Sequence, residues 1–552
     1  MTSPRHEHRA VFSRVPGMIE RWSPAAFAAW AVLLNGGLLA GVLLHSPLWA
    51  LGWIPVAPFT LVGVFDTFQR QHTIQRNFPV LGRLRYLLES LRPEIRQYFI
   101  ESDQEETPIS REKRAIVYQR AKGQLDTLPF GTKRDVDQVG YEWINHSLMA
   151  VAPAPDADER RIRIGGPRCE QPYASSLLNI SAMSYGSLSA KAILALGRGA
   201  ALGGFSHNTG EGGLSPYHLE HGADLVWQVG TGYFGCRTLE GEFDPERFQE
   251  KARHDAVKMI ELKLSQGAKP GHGGILPAAK VTDEIAEIRH VPKGRDVISP
   301  PSHAAFRTPI ELLEFLDELR RLSGGKPVGF KLCVGSRREF FCIVKAMLET
   351  GLAPDFITVD GGEGGTGAAP LEFSNSVGAP ANEGLSFIHN ALLGAGLRDQ
   401  VRIIAAGKIT TGFHVVKKLA LGADLTNSAR AMMLAVGCIQ AVKCNSNDCP
   451  VGVASHKPKY TRGLDVLSKS QRVLGFHRRT VEAVYELIAA AGLEDPDDLR
   501  PHHIYRRTDI GVIRTYSEIF AQLEPRVLVD GTPPAPFDRL WDAARADSFA
   551  RA

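Results

Sequence analysis

Short runs of β-branched and apolar residues alternate with stretches of helical periodicity through the middle of this chain, and each run ends in a glycine-rich or polar turn. The runs are Leu177–Ala182, Gly204–Asn208, Leu225–Val229, Ile260–Leu264, Val328–Leu332, Phe356–Asp360, Val401–Ala406 and Asp424–Ser428. Strands that alternate with helices form parallel βαβ units, so eight in succession predict an α/β fold, a (β/α)8 TIM barrel. The active site of such a barrel lies where the strands end and the loops begin.

The rest of the chain divides around this barrel. Helical periodicity is clearest in Ser189–Leu202, Pro309–Leu322, Arg337–Thr350, Gly412–Leu421 and Ala429–Ile439. An insertion, residues 265 to 325, separates the fourth and fifth strands and contains a strand-like segment at Asp296–Ser299. The predicted regions are an N-terminal segment (1–24), an apolar hairpin (25–65), a connecting region (66–170), the barrel (171–460) and a helical C-terminal tail (461–552). Leu81–Tyr98 and Val466–Ala491 have the pattern of amphipathic helices.

No residue between Arg21 and Asp66 carries a formal charge, and most are apolar. A membrane-spanning helix needs about 20 apolar residues, so this run predicts a transmembrane hairpin of two helices, Ala25–Leu44 and Leu48–Phe65. Arginines flank it on both sides: Arg5, Arg9, Arg14 and Arg21 before it, and Arg70, Arg76, Arg83 and Arg85 after it. Because positive charge marks the cytoplasmic side, we expect an inner-membrane protein whose barrel is cytoplasmic. The alternative is a hairpin that packs on a soluble domain.

Three cysteines, Cys438, Cys444 and Cys449, lie within twelve residues, and a proline follows the last of them. Three thiolates so close together are typical ligands of an iron–sulfur cluster, and a proline after the final ligand also occurs in ferredoxins. The alternatives are a zinc site completed by His456 and three ordinary core cysteines. The odd total of seven cysteines argues against a disulfide framework and for a reducing compartment.

The sequence argues against binding of nucleic acid, and against binding of a nicotinamide nucleotide, by the chain itself. The net charge is only +4, with acids and bases nearly balanced, so there is no basic stripe for nucleic acid. No dinucleotide-binding glycine fingerprint follows a predicted strand. A nicotinamide nucleotide would therefore have to be bound by a partner subunit.

Glycines cluster at the ends of the predicted strands, where they allow the backbone to approach a flat ring or a phosphate closely. The strings at these ends and in the following loops are MSYGSLS, NTGEGG, QGAKPGHGG, LPAAKV, IAEIR, ISPPSH, DGGEGGTGAAP and CNSNDCPVGVA. In order and spacing, the chain from Ser175 to His456 resembles the FMN-binding synthase domain of the glutamate synthases. The resemblance implies FMN in the barrel mouth, a 3Fe-4S cluster beside it, and reduction of a 2-imino acid derived from 2-oxoglutarate to glutamate.

By position, the resemblance implies a set of flavin-binding residues. These are Met183, Ser184 and Gly186 along the flavin, Gln228 and Lys331 at its ring system, and Gly364, Gly365, Thr366 and Gly407 at its phosphate. A lysine at the ring stabilises the reduced, anionic flavin. The family's glycine-rich phosphate strand is replaced here by residues 426–430, so we expect Arg430 to neutralise the phosphate.

For the substrate, the resemblance implies Lys269 and Arg289 as cationic partners of the two carboxylates. Glu211 matches a carboxylate that binds the amino or imino nitrogen or relays a proton. Two departures leave the substrate open. His272 stands where the family has a glutamate, and Leu214 begins a non-acidic pair after NTGEGG.

Glutamate synthases also carry a glutaminase domain with an N-terminal cysteine nucleophile, whereas no cysteine precedes Cys169 here. The expected nitrogen source is therefore ammonia or another amine, with electrons from a ferredoxin-like or NAD(P)H-dependent partner. Two alternatives stand beside this interpretation. One is a membrane-linked enzyme that oxidises an amino acid or amine and passes electrons to a quinone or protein partner. The other is a catalytically silent membrane anchor or assembly protein.

Overall fold

The computed structural model describes residues 22–104, 107–153 and 160–550. The chain forms two compact units, Met1–Glu105 and Glu106–Ala552. Their boundary falls inside the predicted connecting region, so its first part belongs with the apolar hairpin and its second part with the barrel. Most of the predicted N-terminal segment, including its four arginines, lies outside the described residues.

The second unit contains a closed barrel of eight parallel strands. The strands are β1 (Leu178–Ile180), β2 (His207–Asn208), β3 (Leu225–Val229), β4 (Val257–Lys263), β5 (Val328–Cys333), β6 (Phe356–Asp360), β7 (Arg402–Ala405) and β8 (Leu425–Ser428). The ring closes where β8 pairs with β1, Thr426 opposite Leu178. All eight predicted strands are confirmed, and with them the (β/α)8 barrel.

The barrel interior is packed with side chains, and one of them is a carboxylate. Glu261 on β4 is 1% exposed and accepts hydrogen bonds from Asn208 at 2.8 Å, Gln228 at 2.6 Å and Thr358 at 2.6 Å. A buried carboxylate needs such donors to replace its lost hydration. The network ties β2, β3 and β6 to β4 and holds the side chain of Gln228 in place.

Helices cover the outside of the barrel, and their ends carry the expected capping residues. Pro309–Leu322 begins with a capping box made by Thr308 and Glu311. Arg337–Thr350 ends at Gly351, which adopts the left-handed conformation that glycine tolerates. The other helices of this unit are Arg111–Lys122, Ala190–Gly203, Pro216–Leu219, Pro245–Ala252, Asp283–Arg289, Leu371–Ser376, Ala381–Gly394, Gly412–Ala420, Arg430–Val436, Pro458–Thr461, Val466–Ala490, Tyr516–Ile519, Val527–Asp530 and Phe537–Asp542.

The long insertion between β4 and β5 is an ordered structure. Its strands Ile275–Leu276 and Val297–Ile298 pair in an antiparallel hairpin. Between them lies the short helix Asp283–Arg289, which begins at the N-cap Thr282 and ends at His290 in the left-handed conformation. The last residue of this helix, Arg289, faces the mouth of the barrel.

The connecting region and the C-terminal tail pack together beside the barrel. Helix Val466–Ala490 of the tail packs against Arg111–Lys122 of the connecting region. The tail is helical as predicted, but it also contributes two strands, Ile504–Asp509 and Val512–Thr515. These form a three-stranded sheet with Glu142–Ile144, which the sequence interpretation did not include.

The first unit contains the predicted apolar hairpin. Its helices are Pro24–Leu44 and Trp53–Phe68, and the 3-10 turn Pro47–Gly52 joins them. The spans Pro24–Leu44 and Pro47–Phe68 are long and apolar enough to cross a membrane. They meet where the Phe27 ring lies against Gly63, at a point where a Cβ would collide with the ring. Most of their other large apolar side chains are exposed. The hairpin is confirmed as a pair of helices, and its insertion in a membrane stays a prediction.

Candidate functional site

A cavity opens at the carboxyl ends of the barrel strands. This is the end of a (β/α)8 barrel that carries active sites. Six residues predicted from the sequence to bind a cofactor line it: Gln228, Lys331, Gly364, Gly365, Gly407 and Arg430. The structure therefore brings together residues that are separated by as much as two hundred positions in the chain.

One end of the cavity is formed by Lys331 and Gln228. The Lys331 ammonium lies 3.3 Å from Asp360 Oδ2, and that carboxylate also accepts from the Gly267 amide at 3.1 Å. Burial alone would lower the pKa of Lys331, but the charges of Asp360 and Glu261 outweigh it and raise the pKa. Lys331 is therefore a permanent cation at this end of the cavity.

The other end has two cations close to glycine backbone. Arg430 donates from Nη2 to the Glu363 carbonyl at 2.6 Å, and Lys408 lines the same wall. Burial lowers the pKa of each of them. The charge of Arg430 lowers the pKa of Lys408 further, whereas Asp360 and Glu363 partly oppose the shift at Arg430. A Cβ at Gly365 would lie 2.9 Å from Arg430 Nε, so only glycine leaves room beside the guanidinium.

These features fit FMN. A flavin ring needs a flat cavity with donors at its polar edge, and the buried Gln266 Nε2 in the cavity wall has no protein partner. A phosphate needs cations and amides, which the Arg430 and Lys408 end supplies. The arrangement thus offers a ring site at Lys331 and an anion site at Arg430.

Four of the predicted cofactor residues lie elsewhere. Met183, Ser184 and Gly186 are buried in the turn after β1 but do not line the cavity, whose wall is formed there by residues 181 and 182. Ser184 instead contacts Arg289, with its Oγ 3.4 Å from Nη2. Thr366 is exposed on its loop. Their predicted contacts with the flavin stay predictions.

A second group of charges adjoins this cavity, and it contains the predicted substrate residues. Glu211 forms an ion pair with Lys263 at the end of β4, 2.9 Å from Oε2 to Nζ. Burial would raise the pKa of Glu211, but Lys263 and the charges of Lys269 and Arg289 lower it below its ordinary value. Glu211 is therefore ionised, and cations surround it on several sides.

Arg289 is buried, and no carboxylate of the described residues lies at salt-bridge distance from it. It is 4% exposed, donates to the Tyr185 carbonyl at 3.1 Å and lies over the Phe234 ring at 5.3 Å, while its Nε has no partner in the described part of the chain. Burial lowers its pKa to about 10. A buried guanidinium with an unused donor is costly unless an anion completes it, so the side chain is suited to receive an anion.

Lys269 is the second buried cation of the group. It is 2% exposed, and its Nζ donates to the Ala368 carbonyl at 2.8 Å. Burial lowers its pKa to about 8, although the Glu211 carboxylate partly opposes this shift. His272, where the family has a glutamate, contacts the Gly273 carbonyl at 2.9 Å and the edge of Phe373.

The three predicted metal ligands lie in one tightly folded loop. Cys438, Cys444 and Cys449 are all free thiols, and the Gln440 amide donates to Cys438 Sγ at 3.4 Å. Burial and the two neighbouring thiols raise the pKa of Cys438 to about 12. The loop is joined to the turn after β1 by Lys280, which donates to the Cys444 carbonyl at 3.3 Å and to the Ser187 carbonyl at 2.6 Å.

The loop does not provide a site for a single metal ion. Within the described ranges, no three His, Cys, Asp or Glu side chains are placed to hold one ion, and the His456 ring instead contacts the Gly186 carbonyl at 2.9 Å. The zinc alternative therefore has no support. Sulfur ligands of a cluster bind different iron atoms and lie farther apart, so an all-thiol donor set fits an iron–sulfur cluster.

Several residues of the site were missed by sequence reasoning. They are Lys263, Gln266, Lys280, Asp360 and Lys408. Three of them, Gln266, Lys280 and Asp360, belong to the sequence strings quoted above. The polar residues of those strings are therefore candidates that the sequence alone offers.

The fold and the site together define an FMN-type barrel oxidoreductase. The family described as a conserved region in glutamate synthase matches residues 154–494, more than half of the chain. The chain therefore belongs to the glutamate synthase family, whose members are oxidoreductases acting on CH–NH2 groups.

Relatives of the chain carry corresponding names. A glutamate synthase large subunit-like protein YerD of Bacillus subtilis is 41% identical over 500 residues, which cover 83% of this chain and 95% of the relative. An archaeal-type glutamate synthase [NADPH] of Thermotoga neapolitana is 33% identical over 321 residues, 58% of this chain and 60% of the relative. The chain thus spans about three fifths of that second relative. Among solved structures, a mutant flavocytochrome b2 with pyruvate bound covers 83% of this chain and 92% of its own, at 14% identity and a TM-score of 0.40.

Proposed function

We propose that the chain is an FMN- and iron–sulfur-dependent oxidoreductase that reduces the 2-imino acid formed from 2-oxoglutarate and ammonia to glutamate. The observation that carries this proposal is the buried guanidinium of Arg289, which has an unpaired donor and no carboxylate partner among the residues that the structure describes. A dicarboxylate substrate would complete it. The cation pair of Arg289 and Lys269 suits the two carboxylates of 2-oxoglutarate.

The chain's own residues would act by binding and orientation. Arg289 and Lys269 hold the carboxylates, and the ionised Glu211 accepts a hydrogen bond from the protonated imino nitrogen. Lys263, bonded to Glu211, keeps that carboxylate charged and in position. Reduction of the C=N bond consumes two electrons and two protons, and bound FMN would supply the hydride. The main task of these residues is to align the imino carbon for hydride transfer.

The electrons would arrive from a partner through the cysteine loop. Cys438, Cys444 and Cys449 would hold the cluster, which transfers single electrons. Lys280 joins this loop to the turn after β1 beside Arg289, so the two halves of the site have a fixed separation. The donor would be a ferredoxin-like protein or an NAD(P)H-dependent subunit.

For location, we propose the inner membrane with the barrel in the cytoplasm. The support is the length of the two apolar helices and the exposure of their apolar side chains. The same hairpin favours one alternative, in which an amino acid is oxidised and electrons pass to a membrane quinone.

An assay of flavin reoxidation distinguishes these activities. Detergent-purified protein is reduced anaerobically after its flavin, iron and sulfide have been measured. We expect 2-oxoglutarate and ammonia together to reoxidise the flavin, and neither to do so alone. If both cofactors are present, the flavin is not reoxidised, and an amino acid reduces it, the protein is the amino-acid-oxidising enzyme instead. Absence of both cofactors would point to the silent anchor protein.

Binding of 2-oxoglutarate is expected to depend on pH through Lys269. Because burial lowers the pKa of Lys269 to about 8 in the free protein, its ammonium is present below that pH and is lost above it. Affinity should therefore be constant below about pH 8 and fall up to tenfold per pH unit above it. Calorimetric titration of 2-oxoglutarate without ammonia measures this. The Lys269→Arg variant should keep its affinity in the alkaline range, and an identical decline in that variant would contradict the assignment.

A further inference from the structure

The helix Gly82–Ile95, which follows the apolar hairpin, carries an apolar stripe that faces solvent. Its large apolar side chains are Leu84, Leu87, Leu88, Leu91 and Ile95, and each is between 39% and 56% exposed. At 3.6 residues per turn, they fall within about 100° of the helix circumference. Tyr98, Phe99 and Ile100 continue the exposed apolar surface beyond the end of the helix. A soluble helix normally turns such a stripe to a core.

Positive charge borders this stripe. Between Gln69 and Ile100 the chain has six arginines, no lysine and only two acidic residues. Arg85 and Arg92 lie along one edge of the stripe, and both are exposed. The other edge carries Glu94 and Arg83, and Arg83 is paired with Asp66. An apolar face with arginines along an edge is typical of a helix that lies in a membrane interface, where long cationic side chains reach the headgroups.

The helix is attached to one end of the hairpin in a defined position. Asp66, close to the end of the second apolar helix, is fully buried and forms two short contacts with Arg83, 2.7 and 3.0 Å long. It also accepts from the Val80 amide at 3.0 Å. Trp22, at the start of the first apolar helix, donates to the Pro79 carbonyl at 2.7 Å. Both ends of the hairpin thus meet at the start of Gly82–Ile95.

This position corresponds to the edge of the bilayer if the hairpin spans it. Tryptophan is enriched at that level of membrane proteins, and the chain enters and leaves the hairpin there. The apolar stripe is therefore continuous with the apolar surface of the hairpin. Its arginine borders match the negative charge of anionic lipid headgroups.

We propose that Gly82–Ile95 is an in-plane helix that docks on the membrane surface by binding anionic phospholipids. The inference rests on the proposed insertion of the hairpin. A second copy of the chain is a poorer occupant, because a twofold contact would bring the same arginines against each other. Lipid binding would hold the helix at a fixed depth in the membrane interface. The strength of membrane attachment would then depend on the charge of the lipids.

Photo-crosslinking from single positions tests this docking. A diazirine side chain is placed at Leu88 on the stripe, at Glu89 on the opposite side, or at Val32, an exposed position of the first apolar helix. The full-length protein is reconstituted in vesicles of phosphatidylcholine alone or with an equal part of phosphatidylglycerol. We expect lipid adducts from Val32 and Leu88 but several-fold fewer from Glu89. The Leu88 adducts should shift toward phosphatidylglycerol.

Each possible result decides the question. Replacing Arg85 and Arg92 by glutamine should lower the preference for phosphatidylglycerol by about fivefold per arginine, with flavin reoxidation unchanged. Lipid adducts from Val32 without any from Leu88 would overturn the docking and leave the hairpin in place. Adducts from Leu88 to a second copy of the chain would identify a dimer contact instead. No lipid adduct from either position would refute membrane insertion, and the proposed catalysis would be unaffected.

Discussion

Replacing Arg289 by methionine should weaken 2-oxoglutarate binding by about 100-fold, the equivalent of about 3 kcal/mol, without lowering the free energy of unfolding. The guanidinium is buried, and within the described ranges its Nε has no partner and no carboxylate lies at salt-bridge distance. In the free protein its charge is therefore a net cost, and an apolar side chain of similar length removes that cost. In the complex, the same charge is what holds a substrate carboxylate.

Arg320 provides a matched control. It is also 4% exposed, but it pairs with Asp355 at 3.1 Å and with Asp317 at 2.7 Å. Arg320→Met leaves the buried Asp355 without its cation, so we expect a loss of about 3 to 5 kcal/mol in the free energy of unfolding. Denaturant unfolding and calorimetric titration of both variants separate the two roles. If Arg289→Met lost stability like Arg320→Met and still bound 2-oxoglutarate normally, Arg289 would be a structural residue.

The barrel could be predicted because its signals are local. Each strand is a short apolar run that ends in glycine or a polar turn, as in Phe356–Asp360, and such runs are buried on both faces in a parallel sheet. The observed strand ends differ from the predicted ones where a residue is compatible with either a strand or a turn. The β4 strand begins at Val257, three positions before the predicted start. Lys258 interrupts the apolar run there and lies at an irregularity where the pairing with β3 shifts by one residue.

The sheet formed by the tail could not be predicted in the same way. Ile504–Asp509 and Val512–Thr515 contain three arginines and leave most side chains partly exposed. Their partner, Glu142–Ile144, lies more than 350 positions earlier. Pairing over that separation depends on how the connecting region and the tail both pack on the barrel, and this information is absent from either segment alone.

In the candidate site as well, features with a local sequence signal could be predicted, and contacts between distant segments could not. Glycine-rich strand ends marked the cavity, and Lys331, Arg430 and Gln228 were located in its wall. The ion pair of Glu211 and Lys263 joins two different strand ends, so only the closed barrel determines it. Ser184 shows the converse. Its string was recognised, but the contact of its hydroxyl with Arg289 depends on how the insertion packs on the turn after β1.

Replacing Cys449 by serine is expected to remove bound iron and sulfide and to abolish donor-dependent formation of glutamate. Cys449 is the most buried of the three loop thiols, at 7% exposure, and a serine hydroxyl is a poor ligand for iron in a site made for thiolates. The flavin cavity is formed by other residues, so flavin content should be unchanged. Flavin reduced chemically should still be reoxidised by 2-oxoglutarate and ammonia, because that step bypasses the cysteine loop.

Cys236→Ser is the control for this variant, because Cys236 is likewise a buried free thiol but lies outside the loop. It should retain iron, sulfide and donor-dependent turnover, since packing rather than ligation holds that side chain. The split in Cys449→Ser, with the donor-driven reaction lost and the flavin reaction kept, is what separates an electron-transfer role from a structural one. Unchanged iron content would show that the loop thiols hold no cluster. Loss of flavin together with iron would mean that the loop supports the fold of the barrel mouth, and the two cofactor sites would then have to be treated as one.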